Sequence, residues 1–142
     1  PGNKKFTSRK GYFTMEYPTE WNTWENPDGT YHFEKEVTHI GTLEIKESRN
    51  FSDSSEILHF LENESFTHPN AKFDYQTDKT ILSYNNMILV EGAETRVFVW
   101  IVANRNTVLI CRYLLDNKFK NDPKGQAELN AVNVLMQSIA FL

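Results

Sequence analysis

The stretch MILVEGAETRVFVWIVANRNTVLICRYLL, Met87 to Leu115, reads as three consecutive strands, with breaks near Gly92-Ala93-Glu94 and at Asn104-Arg105-Asn106. In the middle strand Val97, Val99 and Ile101 alternate with Phe98, Trp100 and Val102, so both faces are apolar. A strand of that kind sits inside a sheet covered on both sides. The following strand repeats the pattern, with Val108, Ile110 and Leu114 against Leu109, Cys111, Tyr113 and Leu115. Loops this short favour antiparallel return.

Two helices are available to cover the faces. Asp53 caps the first and Glu56 stands at the capping-box position, with Ile57, Leu58, Leu61 and Phe66 as its apolar stripe. Asp122-Pro123 opens the second, whose face carries Leu129, Val132, Leu135 or Met136, and Ile139. Upstream, Phe13, Met15 and Tyr17 alternate in a half-buried strand stopped by Pro18, and Phe6 is the one anchor of the polar residues 1 to 11. Thr19 to Asp28 reads as a loop; Thr30 to Glu34 and Thr42 to Lys46 read as strands, with residues 37 to 40 ambiguous. Lys72 to Gln76 and Lys79 to Tyr84 form two more strands, and Asn85-Asn86 turns the chain into the central sheet. The expected class is α+β: one central antiparallel sheet of seven or eight strands, with residues 54 to 66 and 123 to 140 helical and packed on both faces.

At 142 residues the chain fits a single domain, 1 to 142. A formal charge of -4 without a basic block argues against a nucleic-acid partner, since Lys4, Lys5, Arg9 and Lys10 form the only basic cluster. The single cysteine, Cys111, lies in an apolar strand, where a thiol behaves as a small buried hydrophobe. No run reaches the ~18 apolar residues of a membrane span. The expected compartment is the cytoplasm, with an envelope location as the alternative, because the chain opens Pro-Gly rather than Met.

Gly11-Tyr12-Phe13-Thr14-Met15-Glu16-Tyr17-Pro18-Thr19-Glu20-Trp21, then Gly29 to Phe33 and Gly41-Thr42-Leu43-Glu44-Ile45, resembles the opening of the Mog1/PsbP-like proteins. Those begin with an aromatic strand ending in Tyr-Pro and a Trp shortly after, followed by a hairpin and a helix. The order of elements is similar over nearly the whole chain, and it also resembles a small uncharacterised bacterial domain family of the same kind. The resemblance implies an antiparallel sheet between helical layers. It carries no catalytic residues, and none of the family's partners transfers to this sequence.

Three residues stand out as binding candidates. Trp21 and Trp24, three apart, are suited to anchoring a protein partner, while Trp21 also suits a place over the sheet edge behind Pro18. Arg112 interrupts an apolar strand; a hairpin centred on Arg105 sets it opposite Phe98, within reach of Glu94 or Glu91. His32, His39, His59 and His68 form no metal-ligand spacing, no nucleophile or phosphate motif is present, and no cofactor is expected. The sequence therefore reads as a non-enzymatic domain binding another protein, in a chaperone-like, regulatory or immunity role. The alternative is a small apolar-ligand or hydrolytic module, with a pocket between sheet and helix in which Arg112 meets Glu or Tyr groups.

Overall fold

The computed structural model describes residues 2–36 and 40–142. In chain order the strands are β1 (Asn3–Thr7), β2 (Phe13–Pro18), β3 (Trp21–Glu25), β4 (Tyr31–Lys35) and β5 (Gly41–Ser48). Helix α1 (Ser54–Thr67) follows, then β6 (Lys72–Tyr75), β7 (Thr80–Val90), β8 (Ala93–Ala103) and β9 (Val108–Asp116). A 3-10 turn at Asn117–Phe119 leads to α2 (Pro123–Ser138) and the short β10 (Ala140–Phe141). Residues 37 to 39, which hold His39 and most of the ambiguous segment, lie outside the described residues.

Seven strands form one antiparallel sheet in the order β3-β4-β5-β9-β8-β7-β6, which places β8 and β9 in its interior. Its two faces are buried against different layers. On one, Val132, Leu135 and Met136 of α2 pack over Trp100, Val102, Leu109, Cys111 and Tyr113. On the other, Ile57 and Leu61 of α1 pack over Leu82, Val97, Val99 and Ile101. The helices thus lie on opposite faces, as the two-faced strand pattern requires.

The single-sheet expectation is corrected, because β1, β2 and β10 form a separate three-stranded sheet. Pro18 ends β2, and the chain crosses within two residues to the edge of the large sheet. Periodicity along one strand does not reveal such a change of sheet. Phe6 and Tyr17 stand edge-on to Phe33 of β4, at 5.1 and 5.4 Å between ring centroids, so the small sheet closes the core on the α2 side.

The turn expected at Asn85-Asn86 is also corrected. β7 runs through both residues, registered Asn85↔Phe98 and Asn86↔Val97. The reversal comes instead at Glu91 and Gly92, whose φ values of 50° and 82° suit a two-residue primed hairpin turn. Asparagine is tolerated in β7 because the Asn70 side chain bonds the main chain of Asn85 from outside the sheet.

Both helix starts follow their signals. Asp53 accepts from the Glu56 N–H at 2.9 Å, and Asp122 from the Lys124 N–H at 2.8 Å. Glu56 reaches back to Ser52 rather than to the cap residue itself. The apolar stripe of α1 is narrower than its sequence suggests: Leu58 and Phe66 are exposed. At the far end of α2, the buried Lys79 ammonium donates to the carbonyls of Gln137 and Ile139, placing a cation on the last turn where the helix dipole favours one.

Tyr113 fixes α2 against the sheet by donating to the buried Glu128 carboxylate at 2.8 Å, and burial pushes its phenol pKa up. A Cβ built on Gly41 would lie 2.4 Å from the Tyr113 hydroxyl oxygen. Because that ring is fully buried and held at its tip, Gly41→Ala should cost about 1–3 kcal/mol by overpacking, read as a lower urea midpoint at unchanged m-value.

Burial also raises the Cys111 thiol pKa. Above the unfolded-state value of about 8.5 the unfolded chain releases a proton that the folded chain retains, so stability falls as pH rises. Urea midpoints should decline between about pH 8.5 and 10, with a shallower decline in Cys111→Ala. Equal slopes in the two proteins would show that the thiol contributes nothing.

Candidate functional site

The segment carrying both candidate tryptophans is an edge strand, β3, and not the loop its sequence suggests. Successive side chains of a strand alternate between faces, so residues three apart point to opposite sides. Trp21 is 4% exposed and belongs to the core on the α2 side. Trp24 faces the α1 side, 42% exposed, with its indole stacked on the His32 ring at 5.1 Å and 4°. Asn26 Nδ2 lies 2.7 Å from His32 Nε2, so the amide donates to the ring and steadies the platform under Trp24.

The registers Trp24↔His32, His32↔Glu44 and Glu44↔Arg112 place four side chains in one row across β3, β4, β5 and β9. Arg112 stands opposite Val99 and not Phe98, because the β8–β9 loop spans four residues, from Asn104 to Thr107. Asn104 Oδ1 accepts from the N–H groups of Asn106 and Thr107 and closes that longer loop. The one-residue shift turns Arg112 to the α1 face, where Nη2 donates to Glu44 Oε1 at 2.8 Å, in place of Glu94 or Glu91. This pair is partly exposed and worth at most about 1 kcal/mol, so it orients the guanidinium more than it stabilises the fold. Beyond Val99 the row reaches Tyr84, whose phenol pKa burial and then Glu64 push up, with Arg112 acting the other way.

Helix α1 covers β7, β8 and part of β9 and leaves this end of the sheet open. No residue of β3, β4 or β5 joins the cluster that packs beneath α1. A depression of about 400 Å³ lies here, lined by Asp28, Thr30, Glu44, Lys46, Ile110 and Arg112. Its rim carries both signs of charge, and donation from the Thr30 N–H holds the Asp28 carboxyl below its ordinary value. Two of the three sequence candidates, Trp24 and Arg112, therefore share one surface, roughly 14 Å apart across three strand spacings. Trp21 does not.

On the opposite face a cavity of about 260 Å³ between α2 and the end of β3 is lined by Trp21, Ile40, Glu128 and Ala131 among others. Arg112 is separated from it by the sheet, and the carboxylate it meets, Glu44, lies with it in the depression on the α1 side. Among the described residues no group of three or more His, Cys, Asp and Glu is placed to hold a metal ion, and no helix is long and apolar enough to cross a membrane. His32 and Glu44 were not legible as site residues: alternation places each on a polar strand face, but nothing local shows that β5 lies between β4 and β9.

The protein is α+β, a large antiparallel sheet with helices on both faces, and its likeness to a cyanobacterial PsbP supports a Mog1/PsbP-like fold. Residues 2–138 match the model of DUF3805, a domain of unknown function, and the chain belongs to that family. None of the curated proteins matches it. A protein of Bacteroides thetaiotaomicron VPI-5482 superposes with a TM-score of 0.78 at 18% identity, covering 100% of this chain and 49% of that one. The chain thus spans about half the length of that relative. Cyanobacterial PsbP (CyanoP) of Synechocystis sp. PCC 6803 gives 0.68 at 10% identity, covering 99% of this chain and 93% of its own. LpqN of Mycobacterium tuberculosis, a protein involved in cell envelope biogenesis, gives 0.58 at 11%, covering 98% and 90%. At these identities the likeness concerns the fold alone.

The opposite orientations of the two tryptophans separate their effects on stability. Trp21→Ala should cost about 3–5 kcal/mol, as expected for a buried ring. Trp24→Ala should cost under about 1 kcal/mol, since the residue lies outside both cores and loses chiefly its stack on His32. Calorimetric unfolding of both variants checks this, and comparable losses would place both rings in the core.

Proposed function

We propose that this chain is a non-enzymatic domain that binds another protein on the open face of β3, β4 and β5. The observation that carries the reading is the row Trp24–His32–Glu44–Arg112 on a sheet face that α1 leaves uncovered. An exposed tryptophan held flat by a neighbouring ring loses little freedom on contact, and an oriented arginine offers a forked donor to a carboxylate or main-chain carbonyl. Tryptophan and arginine are the side chains that most often dominate binding at protein interfaces. Asp28, Lys46 and Glu44 around them supply the polar rim that such a contact needs. A chaperone-like, regulatory or immunity role is compatible with a face of this kind.

Affinity capture from extract of the source cells, run in parallel with the parent chain, Trp24→Ala, Arg112→Glu and the distant Phe66→Ala, tests the proposal. A protein held by the parent and by Phe66→Ala should be lost from both face variants. In titration against that protein, Trp24→Ala should weaken binding by about 1–3 kcal/mol. Retention of the same proteins by all four chains would move the partner surface elsewhere.

A further inference from the structure

Among the described residues the large sheet has two unpaired edges, and β6 forms the one remote from Trp24. The direction of its main-chain groups can be read from its neighbours. The Asn85 N–H donates to Asn70 Oδ1 at 3.2 Å, and the Asn85 carbonyl accepts from Asn70 Nδ2 at 3.1 Å. Odd-numbered residues of β7 therefore turn their N–H and C=O groups away from β8, towards β6. With Lys72↔Ser83 and Asp74↔Ile81 in register, Lys72 and Asp74 bond inward to β7. The Gln76 N–H to Lys79 carbonyl bond, 2.9 Å, continues the same parity. Alternation leaves the N–H and C=O of Phe73 and Tyr75 aimed off the sheet. Their rings stack at 5.3 Å and 10° on the α1 side, with Tyr75 72% exposed. The side chains of Lys72 and Asp74 are exposed on the other face.

We infer that β6 is a self-association edge: two copies of this chain pair β6 with β6, antiparallel, about a two-fold axis through Phe73. Only residues whose main-chain groups point outward can bond across the seam, so the axis falls on a residue and not between two, and only an axis at Phe73 or Asp74 overlaps three of the four residues of β6. An axis at Lys72 sets Lys72 against the second copy's Lys72, and an axis at Asp74 sets carboxylate against carboxylate. The axis at Phe73 sets Lys72 opposite Asp74 twice, while Phe73 meets Phe73 through the main chain and the Tyr75 N–H faces the Ala71 carbonyl, the Ala71 N–H being held by the His68 carbonyl at 2.9 Å. Charge thus selects one of the two registers with that overlap. In that register Phe73 and Tyr75 from each copy line the α1 side of the seam as four neighbouring rings. A strand this short buries less than the ~1,200 Å² of a standard interface, so the dimer is weak and forms only as concentration rises. The surface is independent of the Trp24–Arg112 face, and either can fail without the other.

Sedimentation equilibrium from about 10 μM to about 1 mM reads the association, with circular dichroism confirming that each variant is folded. The parent should dimerise reversibly. Lys72→Asp and Asp74→Lys should each weaken the dimer by about tenfold or more, because each places like charges opposite one another twice. The double variant Lys72→Asp/Asp74→Lys restores opposite charges in the same register and should return the affinity of the parent. Asp74 also accepts from Gln76 Nε2 at 3.0 Å, a bond lost in Asp74→Lys and in the double variant alike, so recovery in the latter isolates the cross-seam pair. A parent that stays monomeric throughout would show that these charges only keep the edge solvated, and would overturn the inference. Single variants that associate as well as the parent, or a folded double variant that fails to recover, would also overturn it.

Discussion

The structure depends on one requirement: β8 has to be dry on both sides. Val97, Val99 and Ile101 on one face, and Trp100 and Val102 on the other, are all buried. Each such side chain is worth about 1.5–3 kcal/mol when removed from water, so exposing either face would forfeit a large part of the net stability of a small protein. Two covering layers are therefore obligatory, and the chain supplies them unequally. One face receives α2 together with the small sheet of β1, β2 and β10, and the core there extends out to Tyr31 and Phe33 on β4. The other receives α1, whose buried side chains are Ile57 and Leu61, with Phe51 and Ala71 of the flanking loops beside it.

That inequality creates the open face. A single 14-residue helix spans β7 to β9 and leaves β3 to β5 without a cover on its side. The residues there are accordingly polar or amphipathic, and the strand registers bring Trp24, His32, Glu44 and Arg112 into line. The α2 layer is pinned by polar contacts that leave no comparable freedom. Lys79 holds the last turn of α2, Glu128 takes the hydroxyl of Tyr113, and Asn133 accepts the indole N–H of Trp100 at 3.2 Å. One side of the sheet is thus committed to stability, and the other is partly available for contact.

Much of this was legible along the chain. Alternation in Val97 to Leu115 disclosed a two-faced sheet interior, and the Asp53 and Asp122 caps located both helices. Local signals failed where a distant group supplied the missing partner. Asn85-Asn86 resembles a turn until Asn70 satisfies the outer side of the strand. Trp21 to Glu25 resembles a loop because it lacks alternating apolar residues, and an edge strand with one solvated face needs few.

The sequence by itself determined the fold class, the placement of a helix on each face and the burial of Cys111, because these follow from periodicities that each segment carries alone. Tertiary structure decided which strands are neighbours, and with that the candidate site. Trp24 and Arg112 lie far apart in the chain, and they share a row only because β4 and β5 stand between β3 and β9 in register. The face of Arg112 turned on a single residue of loop length, since a strand's side-chain period is two and a shift of one exchanges inside for outside. No local pattern encodes that count; the Asn104 loop and the packing of both faces select it together.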